Sequence, residues 1–379
     1  MIRGGTGMTW QDRVIGYRRD LHRIPELGFL EYKTHDYLWQ KLRDLGLEPR
    51  RVGDTGIVVD VDSGTPGKMY AVRADMDGLP LAEATGLPFS SEHPGVMHAC
   101  GHDAHMAIAL GLAERLSRGR NFAGTVRMLF QPAEEKPPGG ALKLIEQGAL
   151  EGVDEVYGLH LGAELPVGTV AVQPGPFMAN ADIFTVHITG VGGHGSQPQQ
   201  TKDAVLIAAQ TVVNLQTIVS RRVAAFEPVV VTCGTIHAGQ NFNIIAETAE
   251  VTGTVRTFTV DVQHRVQKEI ERIARTTAAL YDASAEVIYE KGYPAVINHE
   301  VQALSWAEKL RGLVNVTSMT PHMGGEDFAY YLHHKPGSFL FLGSGLEGGN
   351  SPPHHSPHFM VNEAALALGV DVLFRAIAD

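Results

Sequence analysis

The spacing of apolar residues changes character twice along this 379-residue chain, and those changes restrict its fold more than any other feature. Residues 10–45 are helically spaced and end at Gly46. Residues 57–61 and 69–74 read as strands, 104–116 as a helix, 125–130 as a strand, 142–147 as a helix and 155–161 as a strand. Such alternation predicts a sheet with helices on its faces. From Asp182 the order becomes strand (182–189), helix (204–219), two strands (229–236 and 248–258), helix (262–280) and strand (285–290). This βαββαβ order is the split, ferredoxin-like unit. After residue 292 the first pattern resumes, with a helix at 300–310, a strand at 338–342 and a closing helix at 363–377. The expectation is an α/β protein whose discontinuous catalytic domain, residues 1–178 and 292–379, has a mostly parallel central sheet. Residues 179–291 form an inserted ferredoxin-like lid domain. Pro174-Gly175-Pro176 and Gly292-Tyr293-Pro294 mark the two crossings, as linkers often do, and the length exceeds what one core usually supports.

Composition excludes some partners. With 44% hydrophobic and 19% charged residues the chain is an ordinary globular protein. A net charge of −11, without a basic block, argues against nucleic acid or an anionic membrane. The opening MIRGGTGMTW lacks the apolar core of a signal peptide, and no uninterrupted apolar run is long enough to span a membrane. Of the two cysteines, Cys100 and Cys233, the second sits in a strand-like apolar run and reads as a small buried hydrophobe. A reduced, cytoplasmic protein is expected.

Met97-His98-Ala99-Cys100-Gly101-His102-Asp103-Ala104-His105 concentrates a thiol, three imidazoles and a carboxylate between a strand and a helix. It matches no Cys-x-x-Cys spacing and points to a metal site on a loop. Further clusters fall mostly at predicted strand ends, the edge where open α/β sheets bind ligands. Arg73-Ala74-Asp75-Met76-Asp77 follows one strand, although a salt-bridged strand end explains it equally well. Gln131-Pro132-Ala133-Glu134-Glu135 follows the next. Adjacent carboxylates repel unless a cation or proton lies between them; one can ligate a metal while the other moves protons. His160 ends a third strand, and Pro353-His354-His355-Ser356-Pro357-His358 presents three histidines on a proline-bracketed loop. Cys100, His102, Glu135, His160 and His355 together exceed the needs of one structural zinc and suit two ions sharing a bridge.

RADMDGLP, MHACGHDAH, QPAEE, the isolated His160 and HSP near the C-terminal end, in this order, resemble the M20 metallopeptidase family. The likeness is greatest to its amidohydrolase branch of aminoacylases, hippurate hydrolases, N-acetyldiaminopimelate deacetylases and auxin-conjugate hydrolases, and runs from Leu21-His-Arg-Ile-Pro-Glu-Leu-Gly28 to Phe359. The resemblance implies a two-metal centre held by Cys100, His102, Glu135, His160 and His355, with Glu134 as general base toward a shared water. His355 is preferred to His354 because it precedes Ser-Pro. Asp75, where other branches place a histidine ligand, is implied to stand behind the ligands and hold an imidazole. Lys136-Pro137-Pro138 replaces the glycine that relatives usually carry there. Within the insertion, Gly190-Val-Gly-Gly-His194-Gly-Ser196-Gln-Pro198 resembles the lid loop whose histidine polarises the scissile carbonyl, often across a dimer interface, so His194 takes that role. Asn243 and Arg256 resemble the grips on the substrate carboxylate, although Arg256 also reads as a solvent-facing strand residue. Gly324-Gly325-Glu326-Asp327-Phe328 resembles a motif that lines the pocket.

The resulting reading is a metal-dependent amidohydrolase of N-acyl amino acids, homodimeric through the insertion. It uses two divalent ions, Mn2+ by resemblance, with Zn2+, Ni2+ and Co2+ as alternatives. A carboxypeptidase or dipeptidase on the same site, thiol catalysis by Cys100 with His102 or His105, and a non-catalytic metal-containing binding protein are the rivals. Asp103, His105, His354 and Glu326 receive no role.

Overall fold

Helical spacing over residues 10–45 predicts one helix, but the computed structural model has two, Trp10–His22 and Tyr32–Asp44. Pro25 disfavours helical geometry in the residue before it, and the chain between the helices bonds elsewhere: the Glu26 carbonyl accepts the Gly78 N–H. A Thr9/Asp12 capping box starts the first helix, satisfying donors that a helix leaves open. The structure describes residues 9–119 and 121–377; residues 1–8, most of the segment read for a signal peptide, lie outside them.

The described residues divide into two compact units. Among the described residues, the first comprises 9–119, 121–177, 297–320 and 327–377. It contains an eight-stranded mixed sheet in the order Arg50–Val52, Gly56–Asp62, Thr125–Gln131, Met69–Asp75, Glu155–Pro166, Gly337–Gly345, Thr169–Ala171, Asn315–Thr317. The central run, from Thr125–Gln131 through Gly337–Gly345, is parallel; antiparallel pairings join Gly56–Asp62 to its neighbours and Thr169–Ala171 to Gly337–Gly345. The three-residue strands escape the sequence reading because they are too short to show alternation. The strand predicted to end at Leu161 continues to Pro166, because Gly337–Gly345 keeps pairing beside it and, past an irregularity, sets Gly345 opposite Pro166. His160 is therefore inside a strand. Its parallel neighbour stops sooner, with Arg73 opposite Gly158, so by register His160 stands level with Asp75 at that strand's end. The helix His102–Gly119 is buried along most of its length in the core of this unit.

The second unit comprises residues 178–296 and 321–326. Its antiparallel sheet runs Val230–Ala238, Thr248–Arg256, Asp182–Thr189, Ser284–Glu290, the spatial order of a βαββαβ fold. The helices Ala204–Thr217 and Val260–Ala279 share one apolar core with it. Residues 321–326, which the sequence reading assigns to the other domain, belong here: the Ala179 N–H donates to the His322 carbonyl and Arg256 Nε to the Met323 carbonyl. One helical stretch, Ala204–Arg222, is long and apolar enough to cross a membrane. Ala204, Ile207, Ala208, Leu215 and Ile218 on it are buried in the core of this unit, while Val205, Leu206, Val213 and Val219 are exposed.

Candidate metal centre

Gly101 lets Cys100 and His102 lie side by side. Its φ of +98° is open only to glycine at little cost, and its carbonyl starts the next helix by accepting the N–H groups of Ala104 and His105. Donor atoms of Cys100, His102 and His160 lie within 4.8 Å of one another, as do those of Cys100, Glu135 and His355, and those of His102, Glu134 and Glu135. Cys100, His102 and Glu135 each belong to two of these groups. All five predicted ligands and Glu134 thus converge in the first unit. His355, at φ +62°, is the histidine that reaches Glu135, its Nε2 at 3.0 Å from Oε1. His354 instead lays its ring 4.7 Å from that of Phe359 and 5.3 Å from that of His160.

Two imidazoles have their tautomers set by the backbone. His102 Nδ1 donates to the Asp77 carbonyl at 2.9 Å and His160 Nδ1 to the Leu161 carbonyl at 2.9 Å. The lone pairs on Nε2 are left to face the site, as metal-binding histidines require. The His102 Nε2 is buried without a hydrogen-bond partner, an arrangement that is costly unless something occupies its lone pair. Burial works against the charged form of His102, yet Asp75, Asp77 and Glu135 outweigh it and push its pKa up to about 10. Burial and the carboxylates of Glu135, Glu134 and Asp75 hold the Cys100 thiol well above its ordinary range. The donor set is therefore rich in negative charge, and divalent cations would reverse both tendencies.

Asp75 accepts from His105 Nδ1 at 2.7 Å and from Arg73 at 2.6 Å, and lies 3.7 Å from His102 Nε2. Burial would raise its pKa, but His102, His105 and Arg73 hold it well below the carboxylate range. His105, without a role in the sequence reading, accepts the Leu161 N–H on Nε2 at 3.0 Å and so links Asp75 to the backbone beside His160. Arg73 also donates to Gln131 and Asp327, joining three elements beneath the site. Asp103 binds Arg18 Nε at 2.7 Å and His22 Nδ1 at 2.8 Å, in the first turn of its helix where a carboxylate is favoured. Asp77, named in the sequence only as the second of two carboxylates after a strand, has a role there that spacing did not assign. Its Oδ1 accepts the Glu134 N–H and its Oδ2 the Glu135 N–H, both at 3.0 Å, while its carbonyl fixes His102. Its only sequence signal is its place two residues beyond Asp75.

The remaining candidates lie in the second unit. Gly193–His194 pairs with Ile244–Ile245, and the Gly195 N–H donates to the Asn243 carbonyl, so His194 and Asn243 line one cleft of about 800 Å³. His194 Nδ1 accepts from the Ser196 N–H at 3.1 Å, which puts the proton of the neutral ring on Nε2. Arg256 does not line that cleft; it is half-buried and donates to the Met323 and Val255 carbonyls and to Thr254. It is a packed residue and not a solvent-facing one.

The model of peptidase family M20/M25/M40 matches residues 71–379. An N-acetyl-L-cysteine deacetylase of Bacillus subtilis is 40% identical over 94% of this chain and 86% of its own. An N-acetyldiaminopimelate deacetylase of Halalkalibacterium halodurans is 40% identical over 96% and 98%. The crystal structure of the Bacillus subtilis YxeP protein, a dinuclear metal binding peptidase from the M20 family, superposes with a TM-score of 0.86 at 35% identity and covers 97% of both chains. The protein described here belongs to the M20 peptidase family and is a metal-dependent hydrolase of amide bonds.

Proposed function

We propose that this chain removes the acyl group from N-acyl amino acids, with Cys100, His102, Glu135, His160 and His355 holding two divalent ions. The buried Nε2 of His102, without a hydrogen-bond partner and grouped with Cys100, His160 and the Glu134–Glu135 pair, carries this reading. The donor set fits such ions: one sulfur, three imidazoles and a carboxylate, with two tautomers already fixed. When bound, two divalent ions would supply Lewis acidity and lower the pKa of water at the site. Glu134, buried beside this set, takes the proton from the attacking water and returns it to the departing amine. Asp77 holds the Glu134 backbone, and the Nε2–H of His194 donates to the carbonyl oxygen as it gains charge. Asn243 and Arg256 grip the substrate carboxylate, and the second unit acts as a lid. Mn2+ is the proposed metal, Zn2+, Ni2+ and Co2+ being the alternatives.

Thiol catalysis is disfavoured by the same geometry. A nucleophilic cysteine needs a lowered pKa, whereas burial and three carboxylates raise that of Cys100. Two free cysteines suit the reducing cytoplasm, the proposed location. A homodimer through the second unit is supported by its edge strand Val230–Ala238, with Ile236 exposed, and by the exposed Phe242. The test is release of free amino acid from N-acetyl, N-benzoyl and longer N-acyl amino acids beside a set of dipeptides. Release from the N-acyl compounds is expected; cleavage of dipeptides alone would move the assignment to a dipeptidase or carboxypeptidase.

A further inference from the structure

Three consecutive N–H groups on the loop bearing Glu134 and Glu135 point at two buried carboxylates. Glu134 and Glu135 donate to Asp77, and Ala133 donates to Glu31 Oε1 at 2.8 Å. Glu31 is fully buried and accepts three bonds: Oε1 also accepts the Phe29 N–H at 3.0 Å, and Oε2 accepts the Thr55 hydroxyl at 2.7 Å. Ala133 has φ +55°, a left-handed conformation that is costly to a residue with a Cβ and persists where its surroundings impose it. Gly28 closes the other side, since a Cβ there would come within 3.0 Å of Ala133 Cα and Cβ. Gly28 and Glu31 belong to the stretch after Leu21 that the proposed chemistry leaves without a task. Were Ala133 to relax to negative φ, every atom after it would be re-aimed, beginning with Glu134.

We infer that Glu31 is a positioning residue, whose bond to the Ala133 N–H holds the left-handed turn that aims Glu134 at the reacting water and Glu135 at the ions. The inference rests on the function proposed above. Burial, with Asp77 adding to it, pushes the Glu31 carboxyl up to about 7, so its neutral form is populated at physiological pH. Glutamine can therefore stand in: its amide oxygen keeps the Ala133 and Phe29 bonds, and its NH2 can donate to Thr55 Oγ1.

The test compares E31A, E31Q and the double variant E31A/A133G in the full chain loaded with Mn2+, reading kcat, KM, Mn2+ retention against a chelator, and thermal stability. E31A is expected to lower kcat by roughly 10–100-fold and to weaken Mn2+ retention about tenfold, with KM changed less than about threefold. E31Q should keep kcat and retention within about threefold of wild type. Adding A133G should recover about tenfold in kcat, because glycine adopts positive φ freely. Wild-type kcat and retention in folded E31A, a fall in thermal stability alone, E31Q as impaired as E31A, or no rescue by A133G would each overturn the inference. Mn2+ retention needs no turnover, so it tests Glu31 even if the N-acyl amino acid reading fails. An active E134Q would sink the general-base assignment separately and leave the retention result standing.

Discussion

Apart from the packed Arg256, the two units hold their candidate residues in opposite ways. In the first, nearly every group around Cys100 and Glu134 is buried and fixed by a second group: His102 by Asp77, His105 by Asp75, Asp75 by Arg73, and the Glu134–Glu135 backbone by Asp77. In the second, His194 and Asn243 are exposed on a glycine-rich ribbon, and His194 is steadied by its own neighbour Ser196. A site that binds cations and moves a proton needs groups set before the substrate arrives. Groups that contact the substrate can sit on a mobile surface and gain their partners on binding. The contrast predicts that substitutions in the first unit disturb metal or chemistry, while those in the second disturb catalysis or substrate binding and leave metal retention unchanged.

The largest effect should come from E134Q, lowering kcat by about 10²–10⁴-fold with two ions per chain still held; kcat within a few-fold of wild type would remove Glu134 as the base. Next, H194A should cost roughly 10²-fold in kcat with chelator resistance unchanged. Easier metal loss in H194A would break the division between the units. R256K should raise KM about tenfold and spare kcat, because lysine cannot make a bidentate grip; unchanged KM for every N-acyl amino acid would return Arg256 to a purely structural part.

The smallest effect concerns the rigidity of the first unit. Burial would raise the Glu83 pKa, but bonds from His22, the Ser91 N–H and Thr85 lower it to about 2 from an ordinary 4.5. A carboxylate lowered by folding contributes stability that is complete above its unfolded pKa and lost as pH falls through 4.5 toward 2. Thermal melts between pH 5 and pH 2 should therefore fall more steeply for wild type than for E83Q. Parallel curves would show that the His22–Glu83–Ser91 contacts add nothing.

Much of this was legible in the sequence, for identifiable reasons. The βαββαβ unit declares itself because each strand and helix is long enough to show its period, and the ligand candidates because Cys, His and Glu at strand ends are chemically conspicuous. The split at Pro25 and the three-residue strands were obscured, the first by continuous helical spacing and the others by brevity. The roles of Asp77 and His105, and Glu31 altogether, escaped for a deeper reason. Their work is done on backbone N–H groups and ring tautomers of residues remote in sequence, such as Ala133 for Glu31 and Leu161 for His105, and no spacing along the chain records that. Continuation of the 155–166 strand past His160 was likewise decided by a partner strand far along the chain.

The most direct measurement strips the full chain with chelator, returns Mn2+ in steps, and follows bound metal and release of free amino acid together. Two ions per chain, with activity absent before loading and rising as loading completes, is the predicted result. Activity that survives stripping and is abolished by alkylating Cys100 would contradict the account. So would two bound ions with no release from any N-acyl amino acid.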